Sequence, residues 1–277
     1  MEQLKRILFV SSEITPYLPA STISTIGRYL PQGIQECGRE IRAFMPRYGC
    51  INERRNQLHE VIRLSGMNIV LGDVDLPLVI KVASVANARM QVYFIDNEDF
   101  FQRRATFTDA DGNYFADNGE RSLFFVRGIL ETVKKLRWKP DLIHCIGWMS
   151  HPLPLYLKKL YHTDPLFDDT KVVVSLYNDN LQMPFSPDLK DKIISSNIKK
   201  KDVSCLETAN GINLAKMAIQ YADGIIEGEQ KLDPALAEAV AGRSVPVLPY
   251  MPAAEGDTSY ISSYNEFYDK ILATNAR

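Results

Sequence analysis

The hydrophobic pattern changes period several times along the chain, and each change marks an element. "RILFVSS" is a compact apolar run of strand length. Ile23, Ile26, Leu30 and Ile34 then recur at helical spacing with Gly38 just past their end, so a helix is predicted there. Pro31 lies inside it and should kink it or split it in two. "EIRAFMPRY" reads as a second strand. From Val61 to Asp96 the texture turns to alternation, and "LPLVIKVASVANARMQVYFID" predicts antiparallel hairpins with a turn near Asn87. The polar loop "FQRRATFTDADGNYFADNG" leads into Leu123, Val126, Leu130, Val133 and Leu136, again at helical spacing.

The second half returns to strand–helix alternation. "DLIHCIG", "KVVVSLYN" and "DGIIEG" read as strands, and "HPLPLYLKKLY", "GINLAKMAIQYA" and "DPALAEAVAG" as helices, with a long irregular stretch after "SLYN". Apolar strands alternating with helices imply an α/β fold: a doubly wound, mainly parallel sheet covered on both faces, here with a β-hairpin excursion. Ligands of such sheets gather beyond the carboxyl ends of the strands. In the tail, Ile261, Tyr264, Tyr268 and Ile271 share one helical face, so a helix over about 258–274 is expected to pack back on the rest. No internal repeat or linker interrupts residues 1–277, which are expected to form a single domain.

Composition narrows the class. The 277 residues are 45% hydrophobic and 24% charged with a formal net charge of −2, as in a soluble globular protein. That balance gives no electrostatic reason to bind nucleic acid or an anionic membrane. Lys199, Lys200 and Lys201 form the densest basic spot, and Asp202 follows at once, which reads as a solvated loop. Cys37, Cys50, Cys145 and Cys205 show no CxxC spacing and are expected to be reduced thiols. No run approaches the ~20 apolar residues of a membrane span, so a cytoplasmic location is expected.

"ILFVSSEITPY", "MPRYG", "VYFIDNEDFF", "DNGERSLFFVRGILE", "WKPDLIHCIGW", "PLYLKKLY", "SLYN" and "INLAKMAIQYADGII" occur in order from about Ile7 to Ile226. This ordered series resembles the glycogen and starch synthases, which transfer glucose from a nucleotide sugar to a growing glucan. The resemblance implies the GT-B arrangement, in which two Rossmann-like domains face each other across a cleft. It places this chain on the N-terminal, acceptor-side domain. About thirty-five residues follow Gly242, fewer than the ~100–150 of a second domain, so the donor-binding domain is expected to be absent from this chain.

In the family the opening turn reads Lys-Thr-Gly-Gly-Leu with an Asp two residues on. Glycines admit phosphate to backbone N–H groups, the lysine adds charge, and the helix N-terminus adds its dipole. Here those positions hold Pro19, Ala20, Ser21 and Thr22, with Thr25 in place of the Asp. Ser21 and Thr22 are expected to cap a helix rather than hold an anion. His-x-His-Asp-Trp has become His144-Cys145-Ile146-Gly147-Trp148, and in Thr-Ile-His-Asn the histidine is Tyr177 while Asn178 remains. The family positions at Ile146, Gly147 and Tyr177 therefore look lost.

Other positions keep the family's residues. Asp117, Asn118 and Arg121 match Asp-Asn-x-x-Arg, whose Asp faces the cleft in the family; Asp117 or Asn118 is otherwise a cap for the helix starting near Gly119. Asp117 is the one weak catalytic candidate. Asn118, Arg121, His144, Trp148 and Asn178 are candidate ligand contacts, although His144 also suits a hydrogen-bonded core and Trp148 a packed one. Tyr93, Phe94, Phe100, Phe101 and Phe107 form an aromatic neighbourhood that suits a glucan groove or a core edge. His151 and His162 make no metal-ligand pattern with His144, and no metal or cofactor is expected. No G-x-S-x-G elbow and no identifiable carboxylate pair point to a hydrolase.

The resemblance and the altered turn together imply a synthase-like domain with little or no catalysis, binding glucan or maltooligosaccharide or docking to a full-length synthase. A glucosyltransferase completed by a separate donor-domain protein is the alternative, and a scaffold without sugar affinity a third.

Overall fold

The computed structural model describes residues 5–86, 88–252 and 258–274. Ten strands form the sheet: β1 (Arg6–Ser11), β2 (Glu40–Pro46), β3 (His59–Glu60), β4 (Met67–Leu71), β5 (Val74–Ser84), β6 (Gln91–Asp96), β7 (Leu142–Ile146), β8 (Lys171–Leu176), β9 (Gly224–Glu227) and β10 (Val247–Leu248). Their order is β10-β9-β8-β7-β1-β2-β6-β5-β3, with β4 paired to β5 outside that path. From β10 to β6 every neighbouring pair is parallel, and the pairs made by β5 are antiparallel. The helices are α1 (Thr22–Glu36), α2 (Glu98–Phe101), α3 (Asn118–Leu136), α4 (Leu153–Lys159), α5 (Leu189–Ile193), α6 (Gly211–Tyr221), α7 (Pro234–Ala241) and α8 (Ser259–Leu272).

Strand burial explains the apolar runs. In β1, β7 and β8 all positions but the end residues Arg6 and Lys171 are buried, because helices flank the sheet on both sides. The alternation after Val61 becomes β4 and β5, where buried and exposed residues take turns. The expected turn near Asn87 joins β5 to β6, although Asn87 itself lies outside the described residues. β6 then carries the antiparallel pair back into the parallel sheet beside β2, so these hairpins extend the sheet.

Pro31 does not split its helix. α1 runs unbroken past it, and Ile26, Leu30, Pro31 and Ile34 are all buried, so packing on both sides of the proline holds the helix together. Close packing also needs Gly33, where a Cβ would lie 2.2 Å from the Ile261 side chain of α8. α8 buries Tyr260, Tyr264, Phe267 and Tyr268 along with Ile261 and Ile271. At about 1.5–3 kcal/mol for each large apolar side chain, this helix is part of the core. Among the described residues no helix is long and apolar enough to cross a membrane.

Candidate functional site

The turn after β1 is built by its own side chains. Ile14, Tyr17 and Leu18 are buried and anchor it, while Pro19, Ala20, Ser21 and Thr22 are exposed and Thr25 is half-buried. Ser21 is the N-cap of α1: its hydroxyl accepts from the Ser24 amide at 3.0 Å, and the Ser24 hydroxyl accepts from the Ser21 amide at 2.8 Å. This reciprocal box occupies amides that an anion would otherwise approach. Pro19 has no N–H to offer. The Ser21 hydroxyl also donates to Glu13 Oε2 at 2.7 Å. At the position where the resemblance implies a lysine the turn has Pro19, so it presents no cation there.

The space above the turn is open. A cavity of about 660 Å³ is lined by the turn from Tyr17 to Ser21 and by the 104–110 segment of the polar loop, with Glu13 and Cys50. Phe107 projects from that loop and stacks on Tyr114, ring centroids 6.4 Å apart. Tyr114 lines a second cavity of about 540 Å³ together with Asn178, Gln182 and Lys231. The two cavities thus flank one aromatic pair at the carboxyl ends of the strands, where the topology places a ligand.

Around this edge several polar atoms are buried without partners. Arg121 is fully buried; Nε donates to the Phe100 carbonyl at 2.8 Å and Nη1 to Asn118 Oδ1 at 2.6 Å, while Nη2 has no partner among the described residues. Its guanidinium lies within 6 Å of the ring centres of Tyr48, Phe101 and Phe115. Burial pushes it down to about 10, and burial likewise pushes the Tyr48 phenol up. Asp179 is held up at about 7, first by burial, with the Glu13 carboxylate adding to it and the Trp148 backbone N–H opposing. Asp179 Oδ1 and the Tyr17 hydroxyl are also buried and without a partner among the described residues. An unmet buried polar group costs about 1–3 kcal/mol, so such a cluster suits ordered water.

The residues singled out from sequence fall into distinct places. Asp117 occupies the N-cap of α3 but makes no capping bond; both carboxylate oxygens are taken by the Arg103 guanidinium, one at 2.7 Å. The expected cap is corrected accordingly, because a forked, charged partner outcompetes a backbone amide. Asn118 is not a cap either and is fully buried, donating to the Phe107 carbonyl at 2.8 Å, so Asn118 and Arg121 hold the cavity loop from behind. His144 is fully buried between Ser175 Oγ (Nε2, 2.7 Å) and Tyr268 Oη (Nδ1, 2.8 Å), and burial pushes it down to about 3. Trp148 is 2% exposed, stacked on Phe185 and edge-on to Phe107. His144 and Trp148 are therefore buried in the core, because α8 covers the first and Phe107 and Phe185 pack against the second.

Asn178 is exposed and ties down the neighbouring loop, donating to the Lys231 carbonyl at 2.8 Å and accepting from the Asp233 amide at 2.7 Å. Ile146 and Tyr177 are buried. Gly147 has φ +80°, and a Cβ there would lie 2.7 Å from Ser12 Oγ, so this backbone leaves no room for an acidic side chain. Of the five aromatic residues, Phe107 lines the open cavity; Phe94 and Phe101 are buried, Phe100 is partly buried, and Tyr93 lies at the other end of the strands. Sequence reasoning missed Glu13, Tyr17 and Asp179. Their signal was position alone: each follows the carboxyl end of β1 or β8 within a few residues.

A family profile described as the starch synthase catalytic domain matches residues 6–231. The chain belongs to this family. The glycogen synthase of Chlorobium limicola is 36% identical over 222 residues, 79% of this chain and 44% of that protein. The glycogen synthase of Chlorobium phaeobacteroides is 34% identical over 235 residues, 81% of this chain and 48% of that protein. The chain thus spans about half the length of the curated relatives it matches. Its fold matches the catalytic domain of starch synthase IV from Arabidopsis thaliana, solved bound to ADP and acarbose, with a TM-score of 0.67 and 18% identity over 97% of this chain and 50% of the other. The mainly parallel sheet with flanking helices is that of a GT-B starch synthase domain, and half-length coverage fits its N-terminal half.

Proposed function

We propose that this synthase-like domain binds neutral α-glucan or maltooligosaccharide along the two cavities and contributes little or no glucosyl transfer by itself. The observation that carries this reading is the altered turn: Pro19 stands at the lysine position, and the Ser21 and Ser24 amides are committed to a capping box beside the open cavity. The turn offers a diphosphate no lysine, whereas sugar hydroxyls donate to carboxylates and pyranose faces stack on aromatic rings such as Phe107 and Tyr114. The related starch synthase was solved with a nucleotide and an oligosaccharide analogue, and this geometry favours the second class of ligand. Gly147 supports the same reading, since the position has no space for the carboxylate that the resemblance implies. Docking to a full-length synthase would follow from shared glucan.

Isothermal titration with maltooligosaccharides, and separately with UDP-glucose and ADP-glucose, tests the proposal. Saturable maltooligosaccharide binding that Phe107→Ala weakens is expected, with no measurable nucleotide-sugar binding. Tight binding of either nucleotide sugar would overturn it.

The half-length match favours one other reading, a transferase completed by a donor-domain protein. In that case Asn178 and the Arg103-paired Asp117 would serve the acceptor side, and the diphosphate's cationic partners would come from the donor domain. Glucosyl transfer appearing only on mixing the two proteins, and lost on Asn178→Ala, is the outcome that separates the readings.

A further inference from the structure

At the other end of the strands, about 20 Å away along β2, lies a cavity of about 410 Å³ where β2 and β6 begin. Its lining includes two arginines of different kinds. Arg42, on β2, lies over the rings of Tyr93 (5.6 Å to the centroid) and Trp138 (5.2 Å), and Nη1 donates to Tyr93 Oη at 2.6 Å. Arg42 Nε is buried and has no partner. Arg89, from the β5–β6 connection, is exposed. Neither takes part in an ion pair among the described residues.

Glu40 at this cavity accepts from Arg6 Nε at 2.8 Å and from Trp138 Nε1 at 2.5 Å, with Arg42 a further electrostatic partner. Arg6, Arg42 and Arg89 together outnumber the carboxylates of Glu40 and the adjoining Glu36. Gln35, Gln91 and Ser84 add neutral donors. An adjoining cavity of about 500 Å³ shares Gln35 and Arg89 and adds Gln32 and Glu36, which gives room for the body of a ligand.

We propose that this cavity binds a small phosphate monoester through the guanidinium groups of Arg42 and Arg89. Stacking between two rings fixes the Arg42 plane in advance, and a guanidinium fork matches the spacing of phosphate oxygens. A neutral sugar would make no use of this excess of positive charge. The site shares no residue with the glucan cavities and stands independently of them.

The test is titration of the full chain with a hexose phosphate, inorganic phosphate and the neutral hexose. Saturable binding of the hexose phosphate, weaker binding of inorganic phosphate and none of the neutral hexose are expected. Arg89→Ala, at an exposed position, and Arg42→Lys, which keeps charge and loses the fork, should each weaken binding about tenfold or more. Both should leave the maltooligosaccharide titration unchanged, and thermal melts of each variant verify folding. Equal binding of the neutral hexose, no saturable phosphate binding, or undiminished affinity in Arg89→Ala would overturn the proposal.

Discussion

Two polar clusters lie within this domain, and they differ in one respect. Beneath α8, His144 has a partner on each ring nitrogen, Ser175 on one side and Tyr268 on the other. At the carboxyl edge, Arg121, Asp179 and Tyr17 each keep a buried polar atom without one among the described residues. Both clusters are deeply packed, so burial alone does not distinguish structure from function. What distinguishes them is whether the chain completes its own hydrogen bonds. Where it does, the residues serve the fold; where it does not, a ligand has something to add.

The largest expected effect falls on the completed cluster. His144→Leu keeps the volume but leaves the hydroxyls of Ser175 and Tyr268 buried without their partner, at a cost of about 3 kcal/mol. Urea unfolding measures it, and a cost under about 1 kcal/mol would erase the contrast between the two clusters.

Asp179→Asn probes the unmet cluster and should act in the opposite direction. The folded state keeps the Asp179 proton up to about pH 7, while the unfolded chain releases it near 3.8. The folded state therefore binds more protons across that window, and this carboxyl lowers stability progressively as pH rises from about 4 to about 7. His144 and His151 work the other way: held at about 3 when folded against 6.5 when free, they add stability that is complete above about 6.5 and lost as pH falls toward 3. Those terms cancel between variant and wild type. The variant should match wild type near pH 4 and exceed it by about 2 kcal/mol at pH 8, as read by denaturant titration at each pH. A pH-independent difference would show that Asp179 is solvated.

Ser21→Ala is the smallest change. Loss of the capping box should cost about 1 kcal/mol, measured by the shift in thermal midpoint. It also frees Glu13 from its serine, and nucleotide-sugar affinity should remain undetectable because no cation has been returned to the turn.

The fold was readable because its signals are local and redundant. The apolar runs of β1, β7 and β8 and the face of α8 each state burial directly. Pro31 misled because tertiary packing on both sides of it outweighs the local cost of a proline, and no periodicity reports that strength. The site was less legible. Ser21 showed itself as a cap through residue type and position, but Asp117 looked equally like one until Arg103, fourteen residues earlier, engaged it. His144 carried no mark of the Tyr268 hydroxyl that reaches it from 124 residues away. Glu13 and Asp179 matter through their proximity to each other and to Tyr48, and sequence spacing does not encode proximity across strands.

Gly147 limits what the neighbouring strand ends can accept. A mutation that placed an aspartate there would press its first carbon into Ser12 and onto a backbone torsion that side chains avoid. The ends of β1 and β7 would have to shift before such a carboxylate could be tolerated. No single substitution at this position adds an acidic side chain without moving the backbone around it.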